Sequence, residues 1–195
     1  MDKILTLVFG LFITFSLSAG KGNKNASIVD TLPWDSTLSK VRLHDTISIS
    51  AIHAGDSIMD TVPRAEIYQR AKNWFQTHFA NPRKVIQLEA GPDSIMGEHR
   101  WRIYFINPKS GLKNIIKHFI IYDIKIECFA GYYVYTIDNL IIEQHSGKPV
   151  PVEQDWIGKD GHPIKDYVMY TNQLAEYLRT INEDIKAKMK LTGGK

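Results

Sequence analysis

The feature that most constrains this chain is an alternation over Ile115–Phe129 that passes through Ala130-Gly131 into a second one over Tyr132–Glu143. Ile120, Tyr122, Ile124, Ile126 and Cys128 share one parity of the first run. Side chains alternate between faces along a strand, so those five point the same way. In the second run Tyr133, Tyr135 and Ile137 share a face, opposite Tyr132, Val134 and Thr136. A two-residue connection joins only antiparallel neighbours, because a parallel pair needs a crossover of about a dozen residues. The chain is thereby committed to an antiparallel sheet with one apolar face, and that face must be covered.

More strands precede this hairpin. Ile95–Ile106 sets His99, Trp101, Ile103 and Phe105 against Arg100, Arg102 and Tyr104, and Lys84–Glu89 alternates before a Gly91-Pro92-Asp93 turn. Asn107–Gly111 reads as a loop, and Val41–His53 as a short edge strand. The cover comes from two helices. After Pro63, Ile67, Ala71, Trp74, Phe75, His78 and Phe79 recur at steps of three and four, with Asp60 and Thr61 as candidate caps and Asn81-Pro82 as the stop. Tyr167–Leu191 carries a second stripe of Leu174, Leu178, Ile181, Ile185 and Met189, which covers the sheet or docks on another chain. The fold class expected is α+β: an antiparallel sheet of four to five strands packed on an N-terminal helix, with an additional C-terminal helix.

The N-terminus reads differently. Ile4–Leu17 holds ten apolar residues in fourteen, with Lys3 before it and Ser18-Ala19-Gly20 after it. That is the pattern of a secretory signal peptide cleaved near Ala19. As a helix it spans about 21 Å, short of the roughly 30 Å hydrocarbon core, and no later segment is a transmembrane candidate. The expected organisation is a signal peptide over 1–19, a flexible polar segment over 20–44, an α+β domain over 45–143, a Gly/Pro-rich loop over 144–166 and the amphipathic helix over 167–191. Asn25-Ala26-Ser27 matches a glycosylation sequon. The protein is expected in the periplasm or outside the cell.

Chemistry is sparse. A single cysteine, Cys128, excludes an intrachain disulfide and multi-cysteine zinc, and its place on the apolar parity reads as core. None of the seven histidines makes a His-x-x-x-His or His-Glu-x-x-His pattern. His78 lies on the first helix stripe as a packed histidine at the core edge. His118 and Cys128 share a strand face ten residues apart, roughly 33 Å, and cannot touch. His99 reaches Cys128 only in a favourable register. Gly55-Asp56-Ser57 does not make a nucleophile elbow, and Glu183-Asp184 falls on the exposed side of its helix. Lys109, Lys113 and Lys117 with Arg100 and Arg102 could form a basic patch. With 24 basic against 21 acidic residues, however, the net charge is only +3, and the patch reads as a solvated sheet face rather than a nucleic-acid surface.

Glu66–Phe75, Phe79 and Lys84–Leu88, then Ile95-Met96-Gly97, Tyr122–Ile126 and Gly131–Ile137, resemble a known family over about residues 45–143. It is a domain of unknown function with a TATA-binding-protein-like (TBP-like) fold, met in exported proteins of Gram-negative bacteria. Glu98-His99 and Val134 depart from its pattern. The resemblance implies a helix on a curved antiparallel sheet and brings no catalytic residue, metal or cofactor to carry over. The functional expectation is a non-catalytic binding module of the bacterial envelope, with an unknown protein or envelope ligand as partner and no nucleic acid. The alternative is a small exported hydrolase with a site near His99 and Cys128 or in the 155–162 loop.

Overall fold

The computed structural model describes residues 32–52, 59–106, 113–144, 147–159 and 161–190. The apolar run at 4–17, the sequon at Asn25, Gly55-Asp56-Ser57 and Lys109 lie outside them. In chain order the elements are β1 (Trp34–Asp35), β2 (Lys40–Val41), β3 (Leu43–Ser48), β4 (Ser50–Ile52), β5 (Met59–Thr61), α1 (Arg64–His78), α2 (Pro82–Val85), β6 (Ile86–Ala90), β7 (Ser94–Ile106), β8 (Lys113–Phe129), β9 (Tyr132–Gln144), β10 (Val150–Pro151), α3 (Val152–Asp155) and α4 (Val168–Met189). A 3-10 turn at Lys165–Tyr167 leads into α4.

The main sheet has six strands rather than four or five. Its order is β10-β9-β8-β7-β6, and β3 lies beside the first half of β9, antiparallel, with Leu43 opposite Ile137 and Ser48 opposite Tyr132. The additional strand is β10, two residues inside the segment expected to be loop, where Val150 pairs with Ile142. Two other differences concern the lead. Trp34–Val41, expected to be flexible, forms a β1–β2 hairpin, and Val41 is fully buried with its amide donating to Glu153 Oε1 at 2.7 Å. Asp60 and Thr61 belong to β5 and do not cap α1, which starts at Arg64 with Pro63 in the N-cap position and no side-chain cap.

The β8 alternation is realised as read, with Ile120, Tyr122, Ile124, Ile126 and Cys128 all buried. On β9 the phase changes. Tyr133, Tyr135 and Ile137 are buried, then Leu140 and Ile142. Asn139 sits at φ 56°, and three residue steps on β9 match two on β8 there. This is a bulge with its left-handed residue, and Asn tolerates that conformation.

Both long helices lie on the apolar face. α1 buries Ile67, Ala71, Trp74 and Phe75, and α4 buries Leu174, Leu178, Ile181, Ile185 and Met189. α4 touches α1, β7 and β3, so its stripe covers its own sheet. No described helix is long and apolar enough to cross a membrane.

Candidate functional site

The sheet has a closed face and an open one, and chemistry can be sought on each. On the closed face, polar atoms of the two helices meet polar atoms of the sheet along one seam. Trp74 Nε1–H donates to Asp184 Oδ2 at 2.8 Å, and His78 Nδ1 lies 2.7 Å from the same oxygen. His78 stacks on Trp74 at 4.7 Å, and Phe79 stands between His78 and His99, 4.7 Å from each. His99 Nδ1 is 3.1 Å from the Tyr122 hydroxyl and 3.3 Å from that of Tyr177, and the two hydroxyls are 2.9 Å apart. Tyr177 stacks flat on Trp101, Tyr135 donates to Asn182, and Lys186 pairs with Asp45 at 2.7 Å.

Asp184 is therefore misplaced by periodicity alone, since it accepts two ring N–H groups at the α1–α4 seam instead of facing solvent. His78 stands where it was expected, half-buried at the core edge.

The seam joins both helices to the sheet. Burial first, and then the neighbouring His78, lower the His99 pKa below the ordinary 6.5, which keeps the ring neutral at neutral pH. Burial also raises the Tyr122 hydroxyl well above its ordinary value. His99 is opposite Tyr122, and Cys128 lies six residues further along β8, about 20 Å away. The register thus keeps His99 and Cys128 apart. The Cys128 thiol is buried and its pKa is pushed up to about 11, mainly by desolvation, which removes the thiolate a nucleophile needs. The described residues of the 155–162 segment are likewise packed: Trp156 is buried against Tyr170, Gly158 donates to the His162 carbonyl at 2.7 Å, and a Cβ on Gly161 would stand 3.2 Å from the Trp34 ring. Among the described residues no three His, Cys, Asp or Glu side chains gather around one metal position.

The lowered His99 value has a consequence for stability. The unfolded ring takes up a proton near pH 6.5 and the folded ring resists it, so the unfolded state binds more protons in acid. Stability from this group is fully present above pH 6.5 and is lost as pH falls through the lower folded value. Unfolding free energies from urea titrations between pH 7 and 5 are expected to fall with acid, and to fall less steeply in His99→Gln. Equal slopes in both proteins would refute the assignment.

The open face carries Arg100 and Arg102 from β7, Phe119, Ile121, Asp123, Lys125, Glu127 and Phe129 from β8, and Tyr132, Val134 and Thr136 from β9. Its β8 residues are only half-buried, whereas their neighbours on the closed face are at most 1% exposed. No described helix packs over it. Arg100 lies across the Phe119 ring at 3.6 Å and reaches Glu143 at 2.6 Å. Lys125 pairs with Glu127 at 2.8 Å, Asn139 donates to Asp123 at 2.9 Å, and Phe129 stacks on Tyr132 at 4.6 Å. The expected basic patch is thus interleaved with carboxylates. Of Lys113 and Lys117 only the backbone is described.

Comparison with known proteins agrees with this architecture. Residues 56–143 match the family described as a domain of unknown function (DUF4468) with TBP-like fold, the resemblance read from the sequence. A DUF4468 family protein from Bacteroides ovatus superposes with a TM-score of 0.60 at 12% identity, over 82% of this chain and 90% of that one. A TBP-like protein from Parabacteroides distasonis gives 0.58 at 15% identity, over 82% of this chain and 97% of that one. At such identities the likeness is one of fold. No curated protein matches the chain.

Proposed function

Because residues 56–143 resemble a TBP-like domain family of unknown function, we propose that the protein is a non-catalytic interaction module of the bacterial envelope, binding a protein partner through its open sheet face. The observation that carries this reading is that face itself: aromatic and aliphatic side chains are left half-covered across β8 and β9, while His78, His99, Tyr122 and Asp184 are engaged with their neighbours inside the seam. Arginine and aromatic residues are the types enriched where proteins meet. A nucleic acid would need a groove of one sign to neutralise phosphates. Here Arg100 is matched by Glu143 and Lys125 by Glu127, which favours a protein surface. Export is supported by the apolar run at 4–17 with its flanking residues.

The test is site-specific photo-crosslinking in the producing cells. A crosslinker at Ile121 or Tyr132 is expected to capture one partner that a crosslinker at Glu176, on the outer side of α4, does not, and Phe119→Ala is expected to weaken the capture. Capture only from α4, or hydrolysis of an ester, peptide or glycan substrate that depends on His99, would overturn the reading.

A further inference from the structure

Where the end of α4 meets the middle of α1, the helix layer leaves a cleft of about 310 Å³. Arg70, Asn73, Trp74 and Thr77 line it from α1, at steps of three and four that place them on one side of the helix. Lys188 and Lys190 line it from the end of α4. Residues two apart in a helix point about 200° away from each other. Lys190, however, is already extended, at φ −60° and ψ 148°, and both lysines border the same cleft.

The internal contacts of these residues leave donors and positive charge over. Arg70 donates to the Met189 carbonyl at 3.2 Å and pairs with Glu66. Asn73 accepts from Gln69 at 3.2 Å through its side-chain oxygen, which leaves its amide nitrogen available. Thr77 gives its hydroxyl proton to the Asn73 carbonyl at 2.9 Å, and the Trp74 N–H belongs to Asp184. Lys188 and Lys190 are exposed and have no ion-pair partner among the described residues, and no described acidic residue lines the cleft. Lysines at the end of a helix ordinarily answer its dipole, which amounts to about half a negative charge. That accounts for less than one of the two, and the last carbonyl of α4 is already held by Arg70.

We propose that this cleft binds a phosphoryl group, held between Lys188 and Lys190 with Asn73 and Arg70 donating to its oxygens. A phosphomonoester carries about −1.5 to −2 charges at neutral pH, which matches two unpaired ammonium groups. A single carboxylate would leave one of them over. Lysine meets phosphate as a point charge, without the paired geometry that arginine needs. The volume is at the small end of the roughly 300–1,000 Å³ of ligand sites, with room for a phosphate and a small substituent. A lining of cations and amides does not suit a long apolar group. The phosphoryl group belongs either to a small soluble ester or to a lipid headgroup at a membrane surface, and both present the same oxygens. The cleft lies on the helix side of the sheet, away from the open face, so the inference stands apart from the partner-binding reading.

Calorimetric titration of the purified protein with glycerol 3-phosphate at low salt tests it, with inorganic phosphate as the smallest probe. Saturable one-to-one binding is expected, weakened about tenfold or more by the double substitution Lys188→Glu and Lys190→Glu. Asn73→Asp sets a carboxylate in the cleft without altering α4 and is expected to weaken binding by a similar factor. Lys159→Glu with Lys165→Glu makes the same change in net charge at exposed positions outside the cleft. That pair is expected to leave the affinity within about twofold, because distant surface charges are screened. Co-sedimentation with phosphatidylcholine vesicles, with and without phosphatidic acid, separates the two sources. Retention only when phosphatidic acid is present assigns the lipid, and binding of the soluble ester without retention assigns the small ligand. Circular dichroism reports that the variants keep the fold. Absence of saturable binding to all three phosphate probes, cleft variants that bind as well as the unaltered protein, or an equal loss from the Lys159 and Lys165 pair would overturn the proposal.

Discussion

Trp74→Ala is expected to cost about 3–5 kcal/mol of stability, the range for truncating a large buried aromatic side chain. Trp74 is 1% exposed and its ring is shared among Phe75, Phe79 and His78, at 5.0, 5.5 and 4.7 Å. Truncation empties the place where α1 meets α4, and that volume cannot close without moving a helix. It also takes away one of the two donors that hold the Asp184 carboxylate at a half-buried position. Trp74→Phe keeps most of the packing and removes the N–H, so it is expected to cost about 1 kcal/mol, the ordinary net worth of one hydrogen bond. Urea unfolding followed by circular dichroism separates the two contributions. A loss below about 1 kcal/mol for the alanine variant would mean that the helices do not depend on this contact.

Gly97→Val is the second large effect, and its cause is crowding. Gly97 lies on the closed face of β7 opposite Ile124. A Cβ there would stand 2.9 Å from Phe75 Cε1, 2.9 Å from the Val85 carbonyl oxygen and 3.0 Å from Val85 Cγ1. The carbonyl is backbone of α2 and cannot rotate away, so β7 and the α1–α2 corner must separate. Overpacking of this kind costs about 1–3 kcal/mol, and two further methyl groups place valine at or above the top of that range. Thermal unfolding should show the drop, with the alanine variant intermediate. Phe75→Leu, which removes one of the clashing atoms, should make the valine less harmful than the separate effects predict, a coupling that a double-mutant cycle reads directly.

How much of this was visible in the residues depended on range. The β8 and β9 alternations and the α1 and α4 stripes are local periods, so strands, helices and most of the closed face followed from them. The two-residue strand β10 has no period to show, and Val41 is one apolar residue in polar company, made core where β2 meets α3 and its amide finds Glu153, 112 positions away. The phase change at Asn139 comes from a single left-handed residue that alternation cannot anticipate. Site geometry was least legible of all. Asp184 finds Trp74 and His78 across 106 to 110 residues, and Gln173 finds Tyr104 across 69. The separation of His99 from Cys128 became decidable only with the β7–β8 register in hand.

The pairing of β3 with β9 carries a consequence for the order in which the protein assembles. The meander from β6 to β9 closes through neighbouring hairpins, each able to form from a short stretch of chain. β3 precedes all of them, yet its partner residues, Tyr132 to Ile137, come last among the central strands. Loop-closure entropy must be met before that contact returns anything, which places this chain with the slower, non-locally wired topologies. α4 comes later still, and until it is present Tyr122, Tyr135 and Asp45 lack Tyr177, Asn182 and Lys186. A polypeptide halted before α4 thus holds a nearly complete set of strands with a wet, unfinished core, which α4 closes.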